Sequence, residues 1–479
     1  MDSRRTKIVC TLGPAVSTEE AMENLIKAGM NGARFNFSHG DHEEQLDRLT
    51  KLKKVRDRLG IPVAALLDTK GPEIRIKKFK EAPITLARGD KFALTVADVE
   101  GDQNMVAVTY TNLHQEVKKG NHILVDDGLI DLLVESVDGD KINCVVENGG
   151  QVSNNKSLNL PGISIKLPAL TEKDKADLKF AAENDFDYVA ASFVRKGSDV
   201  DDIRKELAAH GGESVRIISK IENQEGVDNL EEILEKSDGL MVARGDLGVE
   251  IPAEDVPAIQ KRMIRLCSCA GKVVITATQM LDSMMRNPRP TRAEVSDVAN
   301  AVHDGTSCVM LSGETANGQY PVETVQTMAN IVKKAEASID YWDRFTKTTF
   351  SVTAKDYSSA ICHSCCSTAK VLEAKAIICC THSGSTARDI ARFLPSCTVA
   401  AFTTNEKARR QLALVWGIKP YLYGVVDTTD RLLHAGVDCA MKEGIVEVGD
   451  MVVITAGVPI GQSVTTNLIK AELIQEKGI

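Results

Sequence analysis

Eight short apolar runs recur between Lys7 and Thr315, each closing in small or polar residues. They are KIVCTLGP from Lys7, GARFNFSHG from Gly32, VAALLDTKG from Val63 and DYVAASFVRK from Asp187, followed by VRIISKIEN from Val215, GLMVARGD from Gly239, VVITATQM from Val273 and CVMLSGET from Cys308. Runs this apolar, without polar alternation, suit strands buried on both faces. Most gaps carry a helical period, as in STEEAMENLIKAG, EKDKADLKFAAEN and DVPAIQKRMIRLCSCAG. Ser17-Thr18 before acidic residues is a start signal for the first of these helices, and Gly29 is a stop. Eight strands alternating with helices predict an α/β fold, a (β/α)8 barrel, whose active site lies at the C-terminal strand ends. The polar residues closing each run stand at that end.

The gap after the third run is different. Residues 71–166 hold no helical period but alternating runs: KFALTV, MVAVTY, HILVDDGLIDLLVESV and KINCVVENGG. Turn pairs Asp127-Gly128, Asp138-Gly139 and Gly149-Gly150 punctuate them. They predict an all-β domain inserted into a barrel loop at the catalytic end, where a lid is the natural role and a passive insertion the alternative. The barrel then takes residues 1–70 and 167–340. Past Ala335 the pattern loosens. A helix near Ala360–Glu373 and strands in AIICCTHSG, TVAAFTTN, YLYGV and MVVITAGVP then predict a C-terminal α/β domain over 341–479.

A chain of 479 residues with 43% apolar side chains is long enough for several cores. Its 58 basic and 67 acidic residues leave a net charge of −9 without a basic block, which argues against nucleic-acid binding. No apolar run has transmembrane length and the start lacks a signal-peptide pattern, so a cytoplasmic enzyme without membrane association is expected. The 12 cysteines sit mostly in apolar stretches, as reduced thiols do, and CHSCC at Cys362–Cys366 lacks a second pair at zinc spacing.

The strand ends carry the chemistry. In ISKIEN, Lys220 and Glu222 are one residue apart and point the same way. An ion pair is one reading, and a site for a charged substrate is another. Glu222 and Asp246 close neighbouring strands, which lie about 5 Å apart in a barrel, so the two carboxylates can share a divalent cation. Solvated or capping acids are the alternative. Asn36, Ser38, Asp68 and Thr69 offer oxygens with one charge among them, which suits either a weakly charged cation or a network of turn hydrogen bonds. Arg34 shares the face of Asn36 and Ser38 and needs an anion. Gly245 and Asp246 open a short helix whose amides suit a carboxylate or phosphate, and Thr278 adds a hydroxyl. Together these groups favour a small multi-anionic substrate. Neither a P-loop nor a dinucleotide fingerprint is present. In the last domain THSGSTARDI, with Thr381, Ser383, Gly384, Ser385 and Thr386, reads either as a phosphate loop or as an ordinary capped turn.

Seven segments, KIVCTLGP, ARFNFSHG, LLDTKGPEIR, ISKIEN, ARGDLGVEIP, ATQML and MLSGETA, stand in an order and at separations that closely resemble the pyruvate kinase family along essentially the whole chain. The resemblance implies barrel, inserted β lid and C-terminal α/β domain. It also implies transfer of the phosphoryl group of phosphoenolpyruvate to ADP, giving pyruvate and ATP at the last step of glycolysis. By resemblance, Lys220 neutralises the moving phosphoryl group and the enolate, and Glu222 and Asp246 bind Mg²⁺ (or Mn²⁺). Arg34 binds phosphate, and Gly245, Asp246 and Thr278 hold the substrate carboxylate. Asn36, Ser38, Asp68 and Thr69 form a K⁺ site, which reverses the turn-network reading. Asn36, His39, Arg75 and Lys156 contact nucleotide. Glu73 matches the acidic form of K⁺-dependent members. Thr278 with Ser312 and Glu314 could hold the water chain that protonates the enolate. A phosphorylated effector at the 381–386 loop and a homotetramer are also implied. Val464 departs from the Gly of many bacterial relatives, which leaves the effector's identity open, and no appended C-terminal domain is expected. A catalytically silent relative would have little reason to keep Lys220, Glu222, Asp246 and Arg34 together. A barrel enzyme of C–C chemistry would not account for the lid.

Overall fold

The structure, a computed structural model, describes residues 4–347, 357–459 and 465–475. Strands β1 (Lys7–Thr11), β2 (Gly32–Asn36) and β3 (Ala64–Asp68) open the chain. The insertion follows with β4 (Ile84–Leu86), β5 (Lys91–Thr95), β6 (Met105–Ala107), β7 (His122–Val125), β8 (Ile130–Asp138), β9 (Lys141–Asn148), β10 (Gly150–Val152) and β11 (Leu158–Asn159). The chain then returns through β12 (Tyr188–Ala191), β13 (Arg216–Ile221), β14 (Gly239–Ala243), β15 (Val273–Ala277) and β16 (Cys308–Leu311). β1, β2, β3 and β12 to β16 close into a parallel barrel, in the order β1-β16-β15-β14-β13-β12-β3-β2. The unbroken apolar runs are thus strands covered on both sides. The intervening helices are bounded as their ends require. Thr18 caps Glu19–Ala28, which stops at Gly29, and Thr171 forms a capping box with Asp174 at the start of Glu172–Glu183.

The insertion folds into a six-stranded sheet, β11-β7-β8-β9-β5-β6, beside the pair β10-β4. Its core, which includes Ile76, Phe92, Leu94, Val106, Ile123, Leu132 and Val146, is separate from the barrel's. It is not purely β: one helical turn, Leu113–Glu116, interrupts it, too short to leave a period in the sequence.

The last domain is the sheet β19 (Ile418–Leu422), β18 (Thr398–Thr403), β17 (Ala376–Cys380), β20 (Met451–Ala456) and β21 (Leu468–Leu473), in that order. Two details correct the sequence reading. β19 begins before the expected YLYGV run and contains Pro420, which is tolerated because β19 is an edge strand. The antiparallel β21 was not foreseen, and its half-exposed residues give no apolar run.

This domain seals the floor of the barrel. The barrel lumen (Val9, Leu66, Tyr188, Ile218, Met241, Ile275) shares one apolar cluster with Ile377, Phe393, Leu412 and Leu414. Leu414 packs so closely that a Cβ on Gly32 would lie 2.7 Å from its Cδ2. Arg410 adds ion pairs to Asp187 (2.8 Å) and Asp185 (2.7 Å), and Tyr188 Oη donates to the Gln411 carbonyl (2.7 Å). With the floor closed, the barrel's chemistry is expected at the C-terminal mouth beneath the insertion. No helix among the described residues is long and apolar enough to cross a membrane.

Candidate active site

Alternation along β2 buries Ala33, Phe35 and Phe37 outward and turns Arg34, Asn36 and Ser38 towards the lumen and mouth. The β2–β3 register sets Asn36 against Asp68, one step above Arg34. Arg34 Nε donates to Asp68 Oδ2 (2.6 Å) and its Nη1 to Thr11 Oγ1 (3.0 Å). From β13, Lys220 Nζ reaches Ser192 Oγ (2.7 Å), Glu222 Oε1 (3.0 Å) and Asp68 Oδ1 (3.2 Å). Lys220 and Glu222 therefore do form an ion pair, within a larger cluster. Burial opposes the charge of Asp68, but Arg34 and Lys220 outweigh it and hold the carboxyl below the usual range. Burial likewise opposes the Lys220 ammonium, and Asp68 and Glu222 outweigh it, so its pKa lies above an ordinary lysine's.

Glu222, just past β13, differs from Asp68. Burial and the like charge of Asp246 push its pKa up, against Lys220 and a 2.6 Å hydrogen bond from the Phe193 N–H. Two neighbouring carboxylates, one of them 1% exposed, are a donor set that a hard divalent cation would relieve. Asp246 is not at a strand end: β14 stops at Ala243, and Asp246 lies in the first turn of helix Arg244–Glu250. The amide of Gly245 in that turn donates to Thr278 Oγ1 (2.9 Å). Thr278 and Gln279 adopt φ of 67° and 53°, costly for a β-branched threonine. Arg244 fixes this turn through the Thr278 and Ala277 carbonyls (2.6 and 3.0 Å) and Asp297 (2.7 Å). Glu314 is raised by burial and accepts from the Ser312 and Leu281 amides (2.7 and 3.2 Å).

At the oxygen-rich ends of β2 and β3, Ser38 N–H donates to Asn36 Oδ1 within its own turn (3.1 Å), and Ser192 N–H, from the end of β12, donates to Thr69 Oγ1 (3.2 Å). In the lid, Arg75 pairs with Glu73 (2.7 Å) and Lys156 with Asp126 (2.8 Å). His39 is exposed on the loop after β2. A 360 Å³ cavity between lid and barrel is lined by Glu73, Asp127, Asn159, Asn223, Asp246 and Glu250 among others. The 381–386 loop stands apart from this cluster, in the last domain. There Gly384 (φ 80°) donates to Thr381 Oγ1 (3.1 Å), and Thr386 meets Thr466 across 2.7 Å. Val464 lies outside the described residues.

Sequence reasoning missed Thr11 and Ser192. Ser192 both touches Lys220 and donates to the Thr69 carbonyl (2.7 Å). The strand-end rule, applied to AASF as it was to the other runs, would have found it.

The family description "Pyruvate kinase, barrel domain" matches residues 3–325, and "Pyruvate kinase, alpha/beta domain" matches 359–471. The chain belongs to the pyruvate kinase family. It is 51% identical to the pyruvate kinase of Clostridium acetobutylicum over 98% of this chain and 100% of that protein. It is 52% identical to that of Staphylococcus saprophyticus and 50% to that of Geobacillus stearothermophilus, over 99% of this chain and 81% of each relative. Its activity is accordingly the phosphotransferase reaction of pyruvate kinases.

Proposed function

We propose that Lys220 neutralises the phosphoryl group moving from phosphoenolpyruvate to ADP and the enolate left behind, while Arg34 holds the phosphate. The observation that carries this is the convergence of both cations on one buried carboxylate, Asp68. Arg34 and Lys220 repel each other there, so an anion arriving between them is favoured. Glu222 and Asp246 are the residues to hold Mg²⁺ or Mn²⁺, which supplies charge neutralisation at the phosphoryl oxygens when bound. Gly245, Asp246 and Thr278 receive the substrate carboxylate. The enol oxygen–phosphorus bond breaks as the bond to the terminal oxygen of ADP forms, and the enolate carbon then takes a proton. Thr278, with Ser312 and Glu314, is proposed to hold the water chain that brings this proton.

Asn36, Ser38, Asp68 and Thr69 form the K⁺ site, with Glu73 marking K⁺ dependence. Asn36, His39, Arg75 and Lys156 grip the nucleotide. The 381–386 loop takes a phosphorylated effector. The barrel spans 1–70 and 167–340, the lid 71–166 and the C-terminal domain 341–479, in a cytoplasmic homotetramer. The test is pyruvate formation from phosphoenolpyruvate and ADP. Turnover should vanish with a divalent-cation chelator and fall sharply when K⁺ is replaced by a large organic cation. Unchanged turnover in the second case would refute the monovalent site.

A further inference from the structure

The chain of the lid re-enters the barrel through Leu158–Leu167, and a carboxylate outside the reacting cluster holds the start of that segment. Glu250 closes helix Arg244–Glu250, one turn after Asp246, so the two side chains share a helix face. Its Oε1 accepts from Asn159 Nδ2 (3.0 Å) and from the Leu160 N–H (3.1 Å). Asn159 ends β11, and Leu160 is buried in the lid's own core, so both donors move with the lid. At the other end of the segment, Arg195 donates to the Ile165 and Leu167 carbonyls (2.6 and 2.5 Å). Glu225 touches the middle through the exposed Ser164 hydroxyl (3.1 Å). Glu250, Asn159, Leu160, Ile165 and Arg195 all border the 360 Å³ cavity, which is room for the segment to shift. The same short helix thus carries a carboxylate of the reacting cluster at one end and a lid attachment at the other.

We propose that Glu250 is a positioning residue that locks the lid's returning segment to the helix bearing Asp246, so that the set of the lid over the barrel mouth depends on this side chain. A bond to backbone and a bond to side chain on consecutive residues fix both the height and the rotation of the segment. Loss of both leaves the returning segment held by Arg195 at its end and by the exposed Ser164–Glu225 contact in its middle, and frees the start of the segment to swing. Groups on the lid then spend less time over the mouth, while groups on the barrel stay in place.

The inference rests on the lid carrying nucleotide contacts, and its test separates the two readings. Glu250→Ala, Glu250→Gln and the control Glu225→Ala are compared in the full-length enzyme by steady-state kinetics and by hydrogen exchange over 157–167. Because one oxygen accepts both bonds, the amide oxygen of glutamine can keep both, so Glu250→Gln should retain near-parental kinetics. Glu250→Ala should lower kcat and raise KM for ADP by about tenfold each, with KM for phosphoenolpyruvate moving less than about twofold. Exchange over 157–167 should quicken, while barrel strands stay protected and Glu225→Ala behaves as the parent. Parental exchange and kinetics in Glu250→Ala would overturn the proposal. So would a Glu250→Gln variant as impaired as the alanine, which would mean that charge rather than hydrogen bonding matters. Faster exchange with a parental KM for ADP would support the attachment and overturn the nucleotide role of the lid.

Discussion

Replacing Lys220 by methionine should separate catalysis from folding. The side chain touches three groups: Asp68, Glu222 and Ser192. A stranded buried charge would cost about 3–5 kcal/mol. Neither carboxylate is stranded here. Asp68 keeps Arg34 at 2.6 Å, and Glu222, whose pKa burial and Asp246 already push up, can take a proton. The stability cost should therefore lie near about 1–3 kcal/mol, the range for an unsatisfied polar partner. The catalytic cost is larger. Withdrawing a cation from charge developing on a transferring phosphoryl group slows such reactions by roughly 10³–10⁵, or about 4–7 kcal/mol of barrier. The assay is pyruvate formation, coupled to NADH oxidation by lactate dehydrogenase, alongside a denaturant titration of the same preparation. A variant that folds and turns over within about tenfold of the parent would refute the role given to Lys220.

Arg410→Ala should destabilise the joint between barrel and C-terminal domain by about 3 kcal/mol or more, since Asp187 is fully buried and would keep only a 3.8 Å approach to Arg56 and the Ala65 amide. Denaturant midpoints measure this, and a loss under about 1 kcal/mol would contradict the assigned burial of that pair. A third expectation concerns acid. Burial works against the Glu294 carboxylate, but Ser283 and Thr291 donate to it through hydroxyls and amides and hold its pKa below the ordinary value of 4.5. A depressed carboxyl stabilises the fold above its unfolded pKa, and that stability is lost as pH falls through the folded pKa. The melting-temperature gap between parent and Glu294→Gln should therefore be widest near neutrality and close as pH drops below 4.5. A gap that widens in acid would reverse the sign of this argument.

Sequence by itself determined the barrel and the rim on which chemistry is done. Eight unbroken apolar runs alternating with helices call for a parallel sheet covered on both faces, and eight such units suit a closed barrel; alternation then decides which residues at each run's end face inward. That is why Arg34, Asp68, Lys220 and Glu222 could be named from local pattern alone. The seven ordered segments supplied the reaction, and no single spacing could have done so. What sequence left open was partnership. That Asp68 meets both Arg34 and Lys220 depends on how far two side chains reach across the lumen, which no spacing along the chain encodes. Ser192 sits on Lys220 only because β12 and β13 are neighbours in register. Asp246 and Glu250 lie one turn apart on a helix too short to show a period, and the Asn159–Leu160 donors come from 90 residues away in sequence. The closing of the barrel floor by Leu414 and Arg410 is of the same kind. Periodicity is a property of neighbours along the chain, so it yields elements and faces. Distances between elements are set when several cores pack at once, and only the tertiary structure holds them.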